Sequence, residues 1–380
     1  MAAGTMNQRR FDLTTLALAA FAAVAVLLSL LGHSPAWSAD APILAMAILA
    51  STHPTLLDYK ARLDPNDRVG DVIEALSQTN QVLDDIPWVE GNELTGHVTT
   101  VRTGIPEPTW RKLYGGVQPS KSTTAKIREG VGMLEAYAEI DKSLADLNGN
   151  SAAWRMSEEK PFIEGFGQKF GRYLFYGNEA SEPEGFTGLA PRFSTNDTGL
   201  ALNAENVLAP VATPDNNDNS SIWLVVWGPN TVHGIYPKGS KAGIGVYDKG
   251  QVTIENIDGA GGRMEAYRTH FKWDCGLAVR DWRYVVRIQV DTEDLVKDAA
   301  SGPDLTDLMM LATEQIPNLD AGKPVFYANR TIRSFLRRQM VNKTKNSTLS
   351  IEKMGTRLVP TFDGIPIRRV DQLLNTEAGV

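Results

Sequence analysis

The residues that could carry chemistry are few and scattered. Histidine occurs only at positions 33, 53, 97, 233 and 270, and no two stand at metal-ligand spacing. His270, between Thr269 and Phe271 in a strand-like run, reads as structural. The one cysteine, Cys275, excludes an intramolecular disulfide, a CxxC redox pair and a cysteine-based zinc site. GIYPKGSK, Gly234 to Lys241, approximates a phosphate-binding loop, but such a loop needs lysine directly after its second glycine. Ser240 stands there instead, so the stretch reads as a turn between strands. DGAGGR, Asp258 to Arg263, has the glycines of a nucleotide loop but no helix-forming run behind it, and reads as a turn too. There is no G-x-S-x-G elbow, H-E-x-x-H motif or kinase-like set. Carboxylates are plentiful, but a glycosidase pair is defined only in three dimensions. Arg330, Arg333 and Arg337 recur at spacings of three and four and would share one helix face. Such a face suits nucleic acid, a carboxylate on another subunit, or water.

The elements around these residues explain more than the residues do. A chain of 380 residues, 42% hydrophobic and 22% charged, has the composition of a folded protein of one to three domains. Its net charge of −7 argues against a dedicated nucleic-acid binder. At the N-terminus, Arg9 and Arg10 precede an uncharged apolar run from Leu13 to Leu31, and Ala36-Trp37-Ser38 follows. That is the layout of an export signal cleaved before Ala39, or of a membrane anchor if uncleaved. A start at Met46 is the other reading of the same stretch.

From Met46 onward the texture is that of a folded domain. His53 to Leu63 suggests a helical entry, and Asp71 to Leu83 an amphipathic helix. Gly91 to Arg128 has Thr/Val alternation at its ends and a Pro/Gly-rich middle, the pattern of a long two-stranded arm. An arm so poor in apolar residues has no core of its own and must lie on its parent domain or on another chain. Met133 to Leu147 reads as helical or mixed, stopped by Asn148-Gly149. Ser157 is the expected N-cap of a helix running to Tyr176, with Gly165, Gly167 and Gly171 as close-packing positions. SIWLVVW, QVTIEN, MEAYRTHFKW and VRDWRYVVRIQV read as strands, Pro303 to Ile316 as a helix, and Asn329 as the cap of the arginine helix. A hairpin turns at Asp363-Gly364. The expected class is α+β with a mainly antiparallel sheet. With catalytic motifs nearly absent and arms abundant, the pattern favours a self-associating structural protein.

These stretches carry a family resemblance. TGHVTTVRTGIPEPTWRKLYGGVQPSKSTT, GMLEAYAEID, FTGLAPRF, SIWLVVWGPNTVHGIYPKGSKAG, GQVTIENIDGAGGRMEAYRTHFKWD, NRTIRSFLRRQ and FDGIPIRRVDQLLNTE resemble major capsid proteins of short-tailed bacteriophages and prophages with the Hong Kong 97-type shell fold. The likeness runs from His53 to Glu377. It implies an N-terminal arm over 46–90, an extended β-hairpin loop over 91–130, a peripheral domain with a spine helix over 131–189, an axial domain over 190–325, and a return to the peripheral domain over 326–380. It also implies assembly with copies of itself into hexamers and pentamers, helped by scaffolding and portal proteins, around double-stranded DNA held non-specifically. The implied place is the virion, after assembly in the host cytoplasm. No catalytic residue, cofactor, metal or membrane comes with the resemblance.

The candidate contact residues are Trp110, Lys112 and Lys121 on the arm, and Arg330, Arg333 and Arg337 on the helix. Some members of this fold weld subunits through a lysine–asparagine bond, for which Lys112 and Lys121 are conceivable donors, but no motif marks a partner and no crosslink is expected. Residues 1–45 match nothing in the family and are expected to be absent from the working subunit. Two other readings remain beside the capsid: a nanocompartment shell of the encapsulin type, and a secreted carbohydrate-active or binding protein led by the N-terminal signal.

Overall fold

The computed structural model describes residues 54, 80–147, 151–209, 218–255, 261–295, 302–342, 349–354 and 357–380. The chain divides into two compact units, Met1–Thr52 and His53–Val380, and the described residues all belong to the second. The signal-like stretch, most of the entry His53 to Leu63, the start of the helix expected from Asp71 and the stop at Asn148-Gly149 lie outside the described residues.

The described chain opens with a 3-10 turn, Gln81–Asp84, and strand β1, Trp88–Glu90. Strands β2, Gly96–Gly104, and β3, Thr123–Asp141, form the expected hairpin arm. A short helix α1, Lys142–Ala145, leads to the long helix α2, Ser151–Tyr176. Then come β4, Val207–Leu208; β5, Asn219–Trp227; β6, Val232–Tyr236; β7, Gly245–Glu255; β8, Arg263–Val279; and β9, Val285–Asp291. Helix α3, Leu305–Gln315, strand β10, Lys323–Ala328, and helix α4, Arg330–Asn342, follow. Strands β11, Leu349–Met354, β12, Arg357–Phe362, and β13, Ile365–Arg369, close the chain. Hydrogen-bonded ladders, mostly antiparallel, link these strands along β11-β12-β13-β10-β5-β6-β8-β3-β2, with β1, β4, β7 and β9 as side branches. This is the expected α+β class.

Strand β5 shows why the ladders hold. Trp223, Val225 and Trp227 pack into one apolar cluster, while Ile222, Leu224 and Val226 pack into a second. A strand covered on both faces needs a continuous apolar run, and that run is SIWLVVW. The first cluster is built on α2, whose Phe166, Phe170, Leu174 and Phe175 are buried against the sheet. Phe170 lies 4.7 Å from the Trp273 ring and 5.6 Å from Trp88, centre to centre. At Asp363-Gly364 the φ angles of +49° and +77° are those that an Asp-Gly hairpin turn requires.

Four expectations need correction. Of Met133 to Leu147, expected to be helical or mixed, Met133 to Asp141 is strand, paired residue by residue with β8, and only Lys142–Ala145 is helix. The Ala and Glu residues of the strand favour helix, but Leu134, Ala136, Ala138 and Ile140 alternate with more exposed Met133, Glu135, Tyr137 and Glu139, the two-residue period of a strand. Helix α2 begins at Ser151, not Ser157, and passes through Pro161. Trp154, 1% exposed, ties this added turn to Ile140, Leu144 and Ala145. Of its glycines, Gly171 sits 3.4 Å from side-chain atoms of Asn80 and Gln372 where a Cβ would be, but Gly165 faces open space, so it is not a close-packing position within this chain. VRDWRYVVRIQV is not one strand: Asp281 caps a 3-10 turn at Trp282–Tyr284 that separates β8 from β9.

The aromatic column along α2 sets a testable stability. Phe170→Ala removes a fully buried ring and is expected to cost about 3–5 kcal/mol, read as a lowered midpoint in chemical denaturation of the unassembled subunit.

Candidate functional site

The arm is pinned at its root and bare at its tip. Strands β2 and β3 pair from Gly96–Gly130 out to Arg102–Thr124, then shift register to end at Gly104–Thr123. At the root, Asn92 clasps Val98: its Nδ2 donates to the Val98 carbonyl at 2.7 Å and its Oδ1 accepts the Val98 amide at 2.8 Å. Arg128 donates to Glu93 at 3.0 Å and to Thr95 at 2.7 Å. The strongest tie is Arg192 to Glu129, a two-pronged pair in which Nη1 donates to Oε1 at 2.8 Å and Nη2 to the other oxygen. Arg192 also donates to the carbonyls of Gly188 and Thr187. Glu129 is buried, so this pair joins the arm to the segment after α2 with little solvent screening.

Beyond the root the side chains lose all cover. Trp110 is 103% exposed, Tyr114 104% and Leu113 87%. Arg111, Lys112 and Lys121 are exposed beside them. An exposed patch combining several large apolar groups with cations is a contact surface in search of a partner. Under the root lies a cavity of about 720 Å³, whose lining includes Arg102, Arg192, Arg280, Arg283 and Trp282.

Two histidines also meet at the root. His97 of β2 and His233 of β6 lie edge to face, with ring centres 5.8 Å apart. His233 is buried, and burial, then His97 and Arg280, pushes its pKa down to about 4. Burial and Arg280 also lower the pKa of His97, against an opposing pull from Glu129. Both rings are therefore neutral near pH 7. The two rings pack against each other. Cys275 is buried, and burial raises its thiol pKa, which leaves it unreactive.

The second candidate surface is α4. Asn329 caps it as expected, its Oδ1 accepting the Ile332 amide at 2.8 Å. Ile332 and Leu336 face the core, while Arg330 and Arg337 face out. Arg330 reaches Asp371 at 3.8 Å, although Asp371 is held more closely by Arg369 at 2.7 Å. Arg333 is half-buried, and burial, Arg369 and Arg337 together lower its pKa. Thus Trp110, Lys112 and Lys121 share one loop, and Arg330, Arg333 and Arg337 share one helix. Among the described residues, no hydrogen bond or ion pair joins the two sets. Sequence reasoning missed the Glu129–Arg192 pair and the histidine contact, since each joins residues far apart in the chain and neither has a local signature.

Comparison with known proteins places this geometry. A family model described as major capsid protein GP7 matches residues 64–380. Among solved structures, a chain from the near-atomic structure of bacteriophage Epsilon15 aligns with a TM-score of 0.68 and 37% identity, over 88% of this chain and 99% of that one. A chain of the bacteriophage JBD30 capsid aligns with a TM-score of 0.44 and 8% identity, over 79% and 93%. A chain of the holo-SrpI encapsulin complex from Synechococcus elongatus aligns at 0.37 and 14%, over 59% and 92%. No curated protein sequence matches.

Two measurements test the root. Glu129→Gln leaves Arg192 without its counter-charge and is expected to cost about 3 kcal/mol, with faster amide hydrogen exchange along 97–103. The histidine pair sets an acid sensitivity. The unfolded His233 takes up a proton near 6.5 but the folded one only near 4, so its contribution is complete above pH 6.5 and is lost as pH falls towards 4. The expected loss is about 3 kcal/mol. Denaturation midpoints should fall across that window, and His233→Gln should flatten the slope; an unchanged slope would place the acid sensitivity elsewhere.

Proposed function

The chain belongs to the major capsid protein GP7 family, and from that premise we propose how its surfaces build the shell. It is a phage major capsid protein with the Hong Kong 97-type fold, and it assembles with copies of itself in the virion. Family membership selects this reading over the nanocompartment and the secreted protein. Its working parts are taken to be the N-terminal arm at 46–90, the extended loop at 91–130, the peripheral domain at 131–189 with its return at 326–380, and the axial domain at 190–325. The extended loop reaches over a neighbouring subunit, with Trp110, Lys112 and Lys121 in that contact. The observation that carries this is the arm itself, a hairpin fastened at Glu129–Arg192 whose tip has large apolar side chains wholly in solvent.

The role needs no catalytic residue. Subunits join as hexamers and pentamers, with scaffolding and portal proteins as further partners, and the shell forms in the host cytoplasm with no membrane. Arg333 and Arg337 are candidates for the shell interior or for pairing between subunits. Contact with packaged DNA is electrostatic and independent of sequence, so the net charge of −7 does not oppose it. Residues 1–45 have no part in the working subunit.

Expression of the full chain, and of the chain from Met46, alone and with a scaffolding protein, is expected to give shells or capsomers in negative-stain electron micrographs. A monodisperse monomer under every assembly condition would count against the proposal.

A further inference from the structure

The cavity beneath the arm root carries charge that the chain itself does not balance. It holds about 720 Å³ and lies between the arm and the bend from β8 to β9, a size that suits a small molecule. Arg102, Arg192, Arg280 and Arg283 line it against two carboxylates, Glu129 and Asp281. Arg192 is committed to Glu129, and Arg283 to Asp281, whose two oxygens it meets at 3.0 and 2.6 Å. Arg102 and Arg280 have no carboxylate partner among the described residues.

Arg280 is already held in place. Its Nη1 donates to the Pro229 carbonyl at 3.0 Å and to Asn230 Oδ1 at 3.2 Å. Those bonds fix the guanidinium, and Nε and Nη2 are left without a hydrogen bond among the described residues. Arg102 comes from the arm, on β2 opposite Thr124. Two guanidiniums lacking a counter-charge in one concavity concentrate a positive field there. The planar fork of each matches the oxygens of a phosphate.

The rest of the lining is of another kind. Val101, Ile105 and Ile127 of the arm and Val279 of the body are apolar, and half-buried Trp282 adds an aromatic ring. The side-chain amides of Asn203 and Asn230 stand among them. A bare inorganic anion would leave the apolar part unfilled, and an apolar ligand would leave the arginines unbalanced. A flat body with a multiply charged anionic tail satisfies both, and a nucleotide has that form.

We propose that this cavity binds a nucleotide, its phosphates held between Arg102 and Arg280 and its base against Trp282. Arg102 is on the arm and Arg280 on the body, so a bound phosphate bridges the two. That adds a second tie beside the Glu129–Arg192 clamp and stiffens a further stretch of β2. Neither assembly with copies of the chain nor contact with packaged DNA requires a pocket of this kind, so the site stands apart from the shell reading.

The test is calorimetric titration of the unassembled full chain with ADP, adenosine and inorganic phosphate, at about 0.15 M salt. ADP is expected to saturate one site per subunit, with adenosine and phosphate each at least tenfold weaker. R102A and R280A should each weaken ADP about tenfold, and W282A should weaken ADP but not phosphate. R263A removes an exposed arginine outside the cavity lining and should change nothing. Amide exchange along 100–104 should slow when ADP is bound. No saturable binding, equal binding of phosphate and ADP, or binding indifferent to R102A would overturn the assignment. A duplex oligonucleotide that displaces ADP would overturn it too, by giving the arginines to packaged DNA. If R280A does not fold, Arg280→Lys decides in its place, since it keeps the charge and removes the fork.

Discussion

A two-stranded ribbon cannot bury its own side chains, and this molecule is arranged around that constraint. Each residue of a hairpin has at most one strand neighbour across it, so a polar arm such as β2–β3 gains its backbone bonds but no interior. The large groups at its tip then stay in water until a second molecule covers them. In a monomeric protein such an arm is an aggregation hazard. In a subunit that assembles with copies of itself, neighbours are at hand to cover it, which is the role proposed above for this arm.

A projecting arm is useful only if its root is stiff. Leverage from the tip would otherwise be absorbed where the hairpin meets the body. The root is therefore where charged and polar ties concentrate. Glu129 and Arg192 clamp it from the side, Asn92 closes it from below, and β3 continues directly into the body as the partner of β8. The body has buried fastenings of its own. The Glu377 carboxylate accepts from Arg287 at 2.8 Å and also from Ser221 and Tyr176, tying the C-terminus to β5, β9 and α2. Asp85 accepts from Arg368 and Tyr327, each at 3.1 Å, and pairs with Lys323. Each buried carboxylate is satisfied by several donors, which is what burial of a charge requires.

The parts of this architecture that were legible in sequence are those governed by near neighbours. Strand β5 declared itself by an unbroken apolar run, the last hairpin by Asp363-Gly364, α4 by Asn329, and the arm by its poverty of apolar residues. What escaped was decided at long range. The residues GMLEAYAEID favour helix taken singly, but pairing with β8 makes them a strand, with Ala and Glu tolerated because one face packs and the other is wet. The first turns of α2 exist because Trp154 finds Ile140 and Leu144, a contact invisible in the local pattern. Arg287 and Gln289, polar residues of β9, are both buried because Glu377, near the chain end, supplies their partner. The candidate contact residues could be named from sequence, but the clamp at the arm's root could not, since Glu129 and Arg192 are 63 residues apart.

The arrangement also bears on how strong each contact should be. A closed shell multiplies one interface by its copy number, so many modest contacts together give great stability. A very strong single contact would instead fix errors of placement before the shell closed. A tip with a few apolar groups and three cations suits the first regime. Its charges are exposed, where ion pairs contribute little each and respond to salt. The buried pair at the root works the other way, giving rigidity inside one subunit that need never be exchanged. Permanent ties within the chain and reversible ones between chains are what allow a large shell to correct itself while it grows.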